Sequence, residues 1–485
     1  MGQVREIQDD WSGGSKQDQG IEAVPANAAW QITNMLPGVG GFALGLRGAY
    51  TYASCDVGVR QPQFAGATST HVYMTDDGAR LWRINTTTAA VCTYQNLPGA
   101  ATQNGVEFNG QMYFTNAASP AYVTTSSTAY TTLSATAPRA LRAAVYKARL
   151  ALANDGTNTN RIWFSGIYDT TSTTAWATGA TGRWIDTSYP ITALASLQNM
   201  MLVFSSGNVE RVRGTTPGGG GQAGDIVLEP LFDTGAVGPR QVTVAEDKCY
   251  FLNDQGVYMT DGANLIDLAE QGGVARTWQA SGRGNTFIAY ASGWVFVIGF
   301  AESWMINVQK RAWYRLSFGD SGVTGNGALT VQASADEAYL FKDATAGVSE
   351  ARLVGLSSVL RQTSSHDPDG NAITGTLQSR AFASSLRQKR FRRFFARYEA
   401  TDPGTANPVI NVQPNYDPII EPGSSLTSGT GIVLPETTDA DTARGAMNQK
   451  GRSVAFYIAT SGKGYPVGIQ QIGVEAHELE PTRLQ

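Results

Sequence analysis

The chain has 485 residues, a formal net charge of −4, 42% hydrophobic and 16% charged residues, 54 glycines and three cysteines. The apolar fraction can bury a core, while the charged fraction is well below the ~25% usual in soluble domains. The mildly acidic balance argues against a chain that grips nucleic-acid phosphates along its whole surface. The odd, widely spaced Cys55, Cys92 and Cys249 argue against a disulfide or zinc framework.

Only eight of the 36 basic residues are Lys, and Gly, Ser and Thr are frequent. Short strands joined by Gly/Asn/Asp/Ser turns produce this profile, whereas a helical chain would carry more Glu, Lys and Leu. The N-terminus lacks the basic, apolar pattern of a secretory signal. The longest apolar run, WVFVIGFA, is far below the ~18 residues of a membrane span. These features point to folding in a reducing cytoplasm.

In chain order, residues 1–33 are polar and without periodicity, and read as an extended arm. From 34 to 360 one pattern recurs: four to seven β-branched or aromatic residues, a tight turn, and another such run. GVEFNGQMYFT (105–115) carries the strong Asn-Gly hairpin signal. MMLVFSSGNVERVRG (200–214) is a second hairpin. YFLNDQGVYMTDGANLIDL (250–268) gives three strands, and 286–318 gives four with almost no spare residues. Taking a central strand from each unit, Tyr73, Tyr113, Leu150, Val203, Phe251, Phe296 and Leu340 mark a period of roughly 45 residues, within the ~40–50 of propeller blades. One meander cannot bury both faces, but several packed around an axis can. The expectation is an all-β protein: a β-propeller of about seven blades, with six or eight also fitting the spacing. A linker at 361–372 follows, then a small β-sandwich-like domain at 373–485 built of longer, irregularly spaced strands.

The phrase VYMTD occurs twice, at 72–76 and 257–261, each time with a Gly soon after. It reads as one hairpin repeated in two blades, its Asp residues turn formers rather than acids. TDDGARLW (75–82) approaches the Asp-box turn of sialidase-type propellers, but its spacing fails, and the second copy lacks the Trp.

No catalytic set emerges. His71, His366 and His477 stand apart, without the spacing of metal ligands. The Gly-rich GTTPGGGGQAG (214–224) lacks the Gly-Lys-Ser/Thr that a phosphate loop requires. NDGTNTN (154–160) and HDPDGNAITG (366–375) lack the ligand set of a calcium loop. The expectation is a non-enzyme without cofactor or metal. The one sharp charge feature is SLRQKRFRRFFARYEA (385–400), where Arg387, Lys389, Arg390, Arg392, Arg393 and Arg397 fall within eleven residues. As a regular strand it would put Phe391, Arg393, Phe395 and Arg397 on one face and Arg392, Phe394, Ala396 and Tyr398 on the other. Either the Phe and Tyr residues supply a core behind a charged outer side, or the cations form a patch for a partner subunit or for DNA. Arg suits protein interfaces because its fork pairs carboxylates.

Four segments together resemble the packaged-DNA stabilisation, or tail hub (nozzle), proteins of short-tailed bacteriophages. QITNMLPGVGGFALGLRGAY is similar to their opening segment. NRIWFSGIYDTTSTTAW…RWID is similar to a strand followed by an Asp-containing excursion. ITALASLQNMMLVFSSGNVERVRGT resembles a two-strand unit with Ser205 and Glu210, and RQKRFRRFFARYEA resembles the basic strand that opens their C-terminal region. The resemblance implies a virion protein of the tail, assembled in the host cytoplasm as a ring of six copies below the portal and its adaptor. Such a ring would retain packaged double-stranded DNA and pass it during ejection, with a needle, plug or fibre protein as distal partner. The basic residues would then lie at a subunit or adaptor interface, or in the channel. A sialidase-like propeller glycosidase and a monomeric propeller interaction module are the alternatives.

Overall fold

The computed structural model describes residues 3–479 apart from 39–40, 42–43, 47–49, 57–61, 77–79, 86–91, 97–103, 117–121, 125–129, 134, 171–174, 177–182, 219–223, 281–285, 300–302, 317–328, 344–349, 357–359, 361–372, 384–386, 401–408, 419–425, 427–431, 435–436 and 463–466. The expected linker, His366 within it, and residues 219–223 of the Gly-rich loop therefore lie outside the described residues.

Short strands separated by tight turns pair with their sequence neighbours, and here they do so in antiparallel sets of four. Blades 1 to 6 span 62–96, 104–132, 142–186, 193–232, 242–267 and 287–316. Blade 7 takes three strands from 329–355 and its outer strand from Tyr50–Asp56, which pairs antiparallel with Glu350–Gly355. The first strand of each blade lies beside the first strand of the next, and that of blade 7 lies beside that of blade 1. The protein is a closed seven-bladed β-propeller, and strand pairing between the two ends of the blade region locks the ring. Each of the seven marker residues falls on the second strand of a different blade. Those strands read clearly in sequence because they are buried on both faces: Leu150–Ala153 and Met201–Phe204 are all buried.

The repeated phrase proves not to be one unit in two copies. His71–Asp76 is the second strand of blade 1, whereas Val257–Thr260 is the third strand of blade 5. The two Asp residues differ accordingly. Asp76 is fully buried; it accepts from Trp82 Nε1 and from the Arg80 backbone N–H, both at 3.0 Å, and pairs with Arg80 Nε at 3.1 Å. Asp261 is exposed and caps a turn, accepting from the Ala263 and Asn264 amides at 2.9 and 2.8 Å. What repeats instead is a side-chain cap between second and third strands. Asp155 accepts from the Asn158 amide at 2.6 Å in blade 3, Ser205 from Asn208 at 2.9 Å in blade 4, and Asn253 from Gln255 at 2.8 Å in blade 5. Such short polar side chains stand in for the backbone partners that a turn leaves unpaired.

The C-terminal region is a two-sheet body, and the N-terminus belongs to it. One sheet joins Met35–Pro37, Leu44–Leu46, Val467–Glu478, Lys389–Ala400 and Thr437–Gly451, with Gln3–Gln8 also paired to Val467–Glu478. The second sheet extends blade 6 outward. Gln31–Thr33 pairs in parallel with Ala312–Leu316 and antiparallel with Ile373–Gln378, followed by Val454–Gly462, Val409–Tyr416 and Ile432–Leu434. Phe394 and Phe456 meet between the sheets at 6.0 Å. Their core runs without a break into blades 6, 7 and 1 through Phe296, Leu340 and Met74.

Residues 3–33 are thus packed onto the body rather than extended away from it. Trp11 and Trp30 are fully buried, and the Tyr314 hydroxyl donates to Trp11 O at 3.0 Å. Glu6 pairs with Arg380 at 2.6 Å, and Asp18 accepts from the Arg276 and Thr277 amides at 2.7 and 3.0 Å. The segment reads as polar because its inward groups include Gln8, Ser15 and Gln17, which are buried; Gln8, for one, donates to Ala28 O at 2.7 Å.

Candidate functional site

The basic cluster lies at the start of Lys389–Ala400, the strand flanked by Val467–Glu478 and Thr437–Gly451. Both ladders shift register between Phe391 and Arg393, so Arg392 is an extra residue, a β-bulge. The bulge corrects the expected two faces. Phe391 joins Phe394, Ala396 and Tyr398 in the core, while Arg392 and Arg393, though adjacent, are both exposed. A regular strand would have buried one of them.

Opposite the core, register puts Arg393 across from Glu475, Phe395 from Gly473 and Arg397 from Gln471. On the other side Arg390 lies across from Lys450, and Phe395 from Arg444. Arg5, from the N-terminal strand, is also opposite Glu475, and its guanidinium sits 4.7 Å over the Phe395 ring. That ring covers Gly473, where a Cβ would collide with it. The result is an outer sheet face carrying Arg5, Arg390, Arg393, Arg397, Arg444 and Lys450, with Glu475 as the carboxylate that the register sets among them. Among the described residues none of these six cations forms a salt bridge.

Three members of the expected cluster are not among these six: Arg392 at the bulge, Lys389 and Arg387. Lys389 is buried, its ammonium turned inward to Ala383 O, so it belongs to the fold and not to a surface. Arg387 is exposed but pairs with Glu478 at 3.5 Å. Sequence reading missed Arg5, Arg444 and Lys450, because they join the face from strands distant in the chain. The alternation in QVREIQ (3–8) was the available signal for the first of them.

Carboxylates also gather along blades 4 and 5, at both ends of the strands: Glu246, Asp247 and Asp261 lie in turns at one end of blade 5, and Asp254 in the turn at the other. Between Asp225 and Glu270 there are nine carboxylates against Arg240 and Lys248 alone. Glu229 is neutralised by Arg211 at 2.5 Å, and Asp267 caps the helix Leu268–Gly272. Asp233, Glu246, Asp247, Asp254, Asp261 and Glu270 remain exposed. Turn amides hold the Asp225 and Asp261 carboxyls down to about 2.

The propeller axis holds a cavity of about 360 Å³, lined largely by small residues of the first strands such as Ala65, Gly66, Ala143 and Ala195. It is far too small for a nucleic-acid duplex. Among the described residues no group of three or more His, Cys, Asp or Glu side chains is placed to hold a metal ion, and no helix is long and apolar enough to cross a membrane. His71 sits beside Arg83, and burial together with that cation lowers its pKa. The Cys249 thiol is fully buried in apolar surroundings, which push its pKa up.

One segment that carried the family resemblance is described throughout. ITALASLQNMMLVFSSGNVERVRGT forms the first three strands of blade 4. Its Ser205 caps the turn, and its Glu210, buried, accepts from the Ser188 hydroxyl at 2.6 Å. Both residues serve blade geometry.

No family model matches the chain, and no curated protein sequence does. Among solved structures the chain is similar to BamB from Moraxella catarrhalis at 9% identity and a TM-score of 0.35, over 73% of this chain and 96% of that one. A likeness of that size carries no argument, and the fold rests on the strand pairing described above.

Proposed function

We propose that this protein is a structural subunit of a short bacteriophage tail, which joins other copies of itself head to tail in a ring below the portal and its adaptor. The observation that carries this reading is the outer sheet face of the C-terminal body, where six cations surround Glu475. Charges gathered on one face and forming no salt bridge among the described residues suit a partner with the opposite pattern, and the end of blade 5 that carries Glu246, Asp247 and Asp261 offers one on a second copy. Two different patches on one chain make a heterologous contact, which closes into a ring when the rotation allows. The order of motifs resembling the tail hub family supports the same reading. The propeller's own axis is too narrow for DNA, so the lumen of such a ring lies between copies. Walls that are neutral or acidic let DNA slide where a strongly basic channel would hold it. Adaptor and distal needle, plug or fibre proteins would occupy the two ends of the ring.

Charge reversal tests the interface. Arg393→Glu with Arg397→Glu should abolish assembly of an otherwise folded protein, read by native mass spectrometry at low salt. Glu246→Lys with Asp247→Lys should do the same. A mixture of the two variants should give at least dimers through the pair of unmodified faces. Unaltered rings in both variants would refute the interface, and a wild-type protein that stays monomeric under assembly conditions would refute the ring itself.

A further inference from the structure

The first strands of a propeller run in one direction around the axis, so residues at their beginnings converge on one mouth of the central cavity. Here these residues come from five blades: Gln63, Arg142, Thr192, Arg240 and Phe287. Arg240 extends across the mouth. It lies over the Phe287 ring of blade 6 at 5.7 Å and donates through Nη2 to Gln63 O of blade 1. Arg142 donates from Nε to Thr192 O at 2.5 Å and from Nη1 to Leu141 O at 3.0 Å, which ties blade 3 to blade 4. All of these acceptors are neutral carbonyls. Each guanidinium carries five N–H donors, so both retain donors beyond these bonds.

Neither arginine forms a salt bridge among the described residues. Arg240 lines the cavity, and the single carboxylate of that lining, Glu107, is held by the Gly110 amide at 2.8 Å at the opposite end of its strand. Burial, then repulsion from Arg240, pushes the Arg142 pKa down to about 10, and burial lowers that of Arg240. Both remain protonated at neutral pH. Two half-buried like charges with spare donors are costly unless an anion sits between or beside them.

We propose that this mouth is a binding site for a small oxyanion, a phosphate or a carboxylate, gripped by Arg142 and Arg240. The planar fork of Arg matches both anions in bidentate geometry. The site is small because Arg240 itself spans the opening, and it does not depend on the ring assembly proposed above.

The test is calorimetric titration of inorganic phosphate, and separately of acetate, into the full chain at fixed ionic strength. The wild type should bind at least one of them saturably with one site per chain. Tighter binding of phosphate assigns a phosphate site, and tighter binding of acetate a carboxylate site. Arg240→Gln and Arg142→Gln should each weaken binding at least ~10-fold, the effect of losing a charge-assisted pair. Arg240→Lys, which keeps the charge but loses the fork, should fall between, and it keeps the result readable if Arg240→Gln does not fold by circular dichroism. Absence of saturable binding in the wild type, or equal affinity in wild type and folded variants, overturns the proposal.

Discussion

The two copies of VYMTD provide a controlled experiment, because the structure gives their Asp residues different work. Asp76 is fully buried, with Trp82 Nε1, the Arg80 amide and the Arg80 guanidinium all within 3.1 Å. Asp76→Ala removes one partner of a buried ion pair, which costs ~3–5 kcal/mol. The stranded Trp82 and Arg80 N–H groups are part of that loss and are not added again, so the expected cost is about 4 kcal/mol. Asp76→Asn keeps one acceptor oxygen and should lose about 2 kcal/mol, the worth of a charged hydrogen bond. Asp261→Ala removes only an exposed turn cap, whose hydrogen bonds contribute about 1 kcal/mol net. Urea unfolding followed by far-ultraviolet circular dichroism reads all three as midpoint shifts at a common slope. If Asp261→Ala cost as much as Asp76→Ala, or if Asp76→Ala cost under ~1 kcal/mol, the division between buried anchor and surface turn would be wrong.

Gly473→Ala should destabilise the C-terminal body by about 2 kcal/mol through overpacking, because the new Cβ meets the Phe395 ring and lies 2.5 Å from the Glu6 carbonyl. Amide hydrogen exchange should then rise in residues 3–8 before it rises in the blades. Stability should also fall in acid. Asp225 and Asp261 titrate near 2 in the folded protein against 3.8 without those turns, so their contribution is complete above about pH 4 and is lost as pH falls toward 2. Asp225→Asn with Asp261→Asn should flatten the urea midpoint over that interval and leave its trend at neutral pH unchanged.

The blade count was legible because it depends on local order. Each second strand is apolar on both faces, bounded by turn residues, and pairs with its immediate neighbours, so Tyr73, Val203 or Leu340 could be placed without knowing any distant partner. What escaped was non-local. Nothing in Tyr50–Asp56 announces that it completes a blade 300 residues later. The N-terminal segment looked like solvent-facing chain because its inward side chains include amides and a hydroxyl, bonded mostly within the segment itself: Gln8 to Ala28 O, Gln17 to Gln31 and Ser15 to the Ile32 amide. The repeated VYMTD misled because the same four or five residues suit either a second or a third strand; burial of the Asp, not its identity, separates the two. The basic strand was found by composition, but the bulge at Arg392 is a property of its ladders and reassigns Phe391 to the opposite side. Arg142 and Arg240 carry no sequence signal, being nearly a hundred residues apart, and they meet only because the propeller gathers the beginnings of its first strands.

The proposed ring is tested most directly by electron microscopy of the purified wild-type chain at low salt. The account predicts closed rings with a central hole between subunits, wider than the cavity on any propeller axis and lost on Arg393→Glu with Arg397→Glu. Single compact particles at every concentration, with wild type and variant alike, would contradict it.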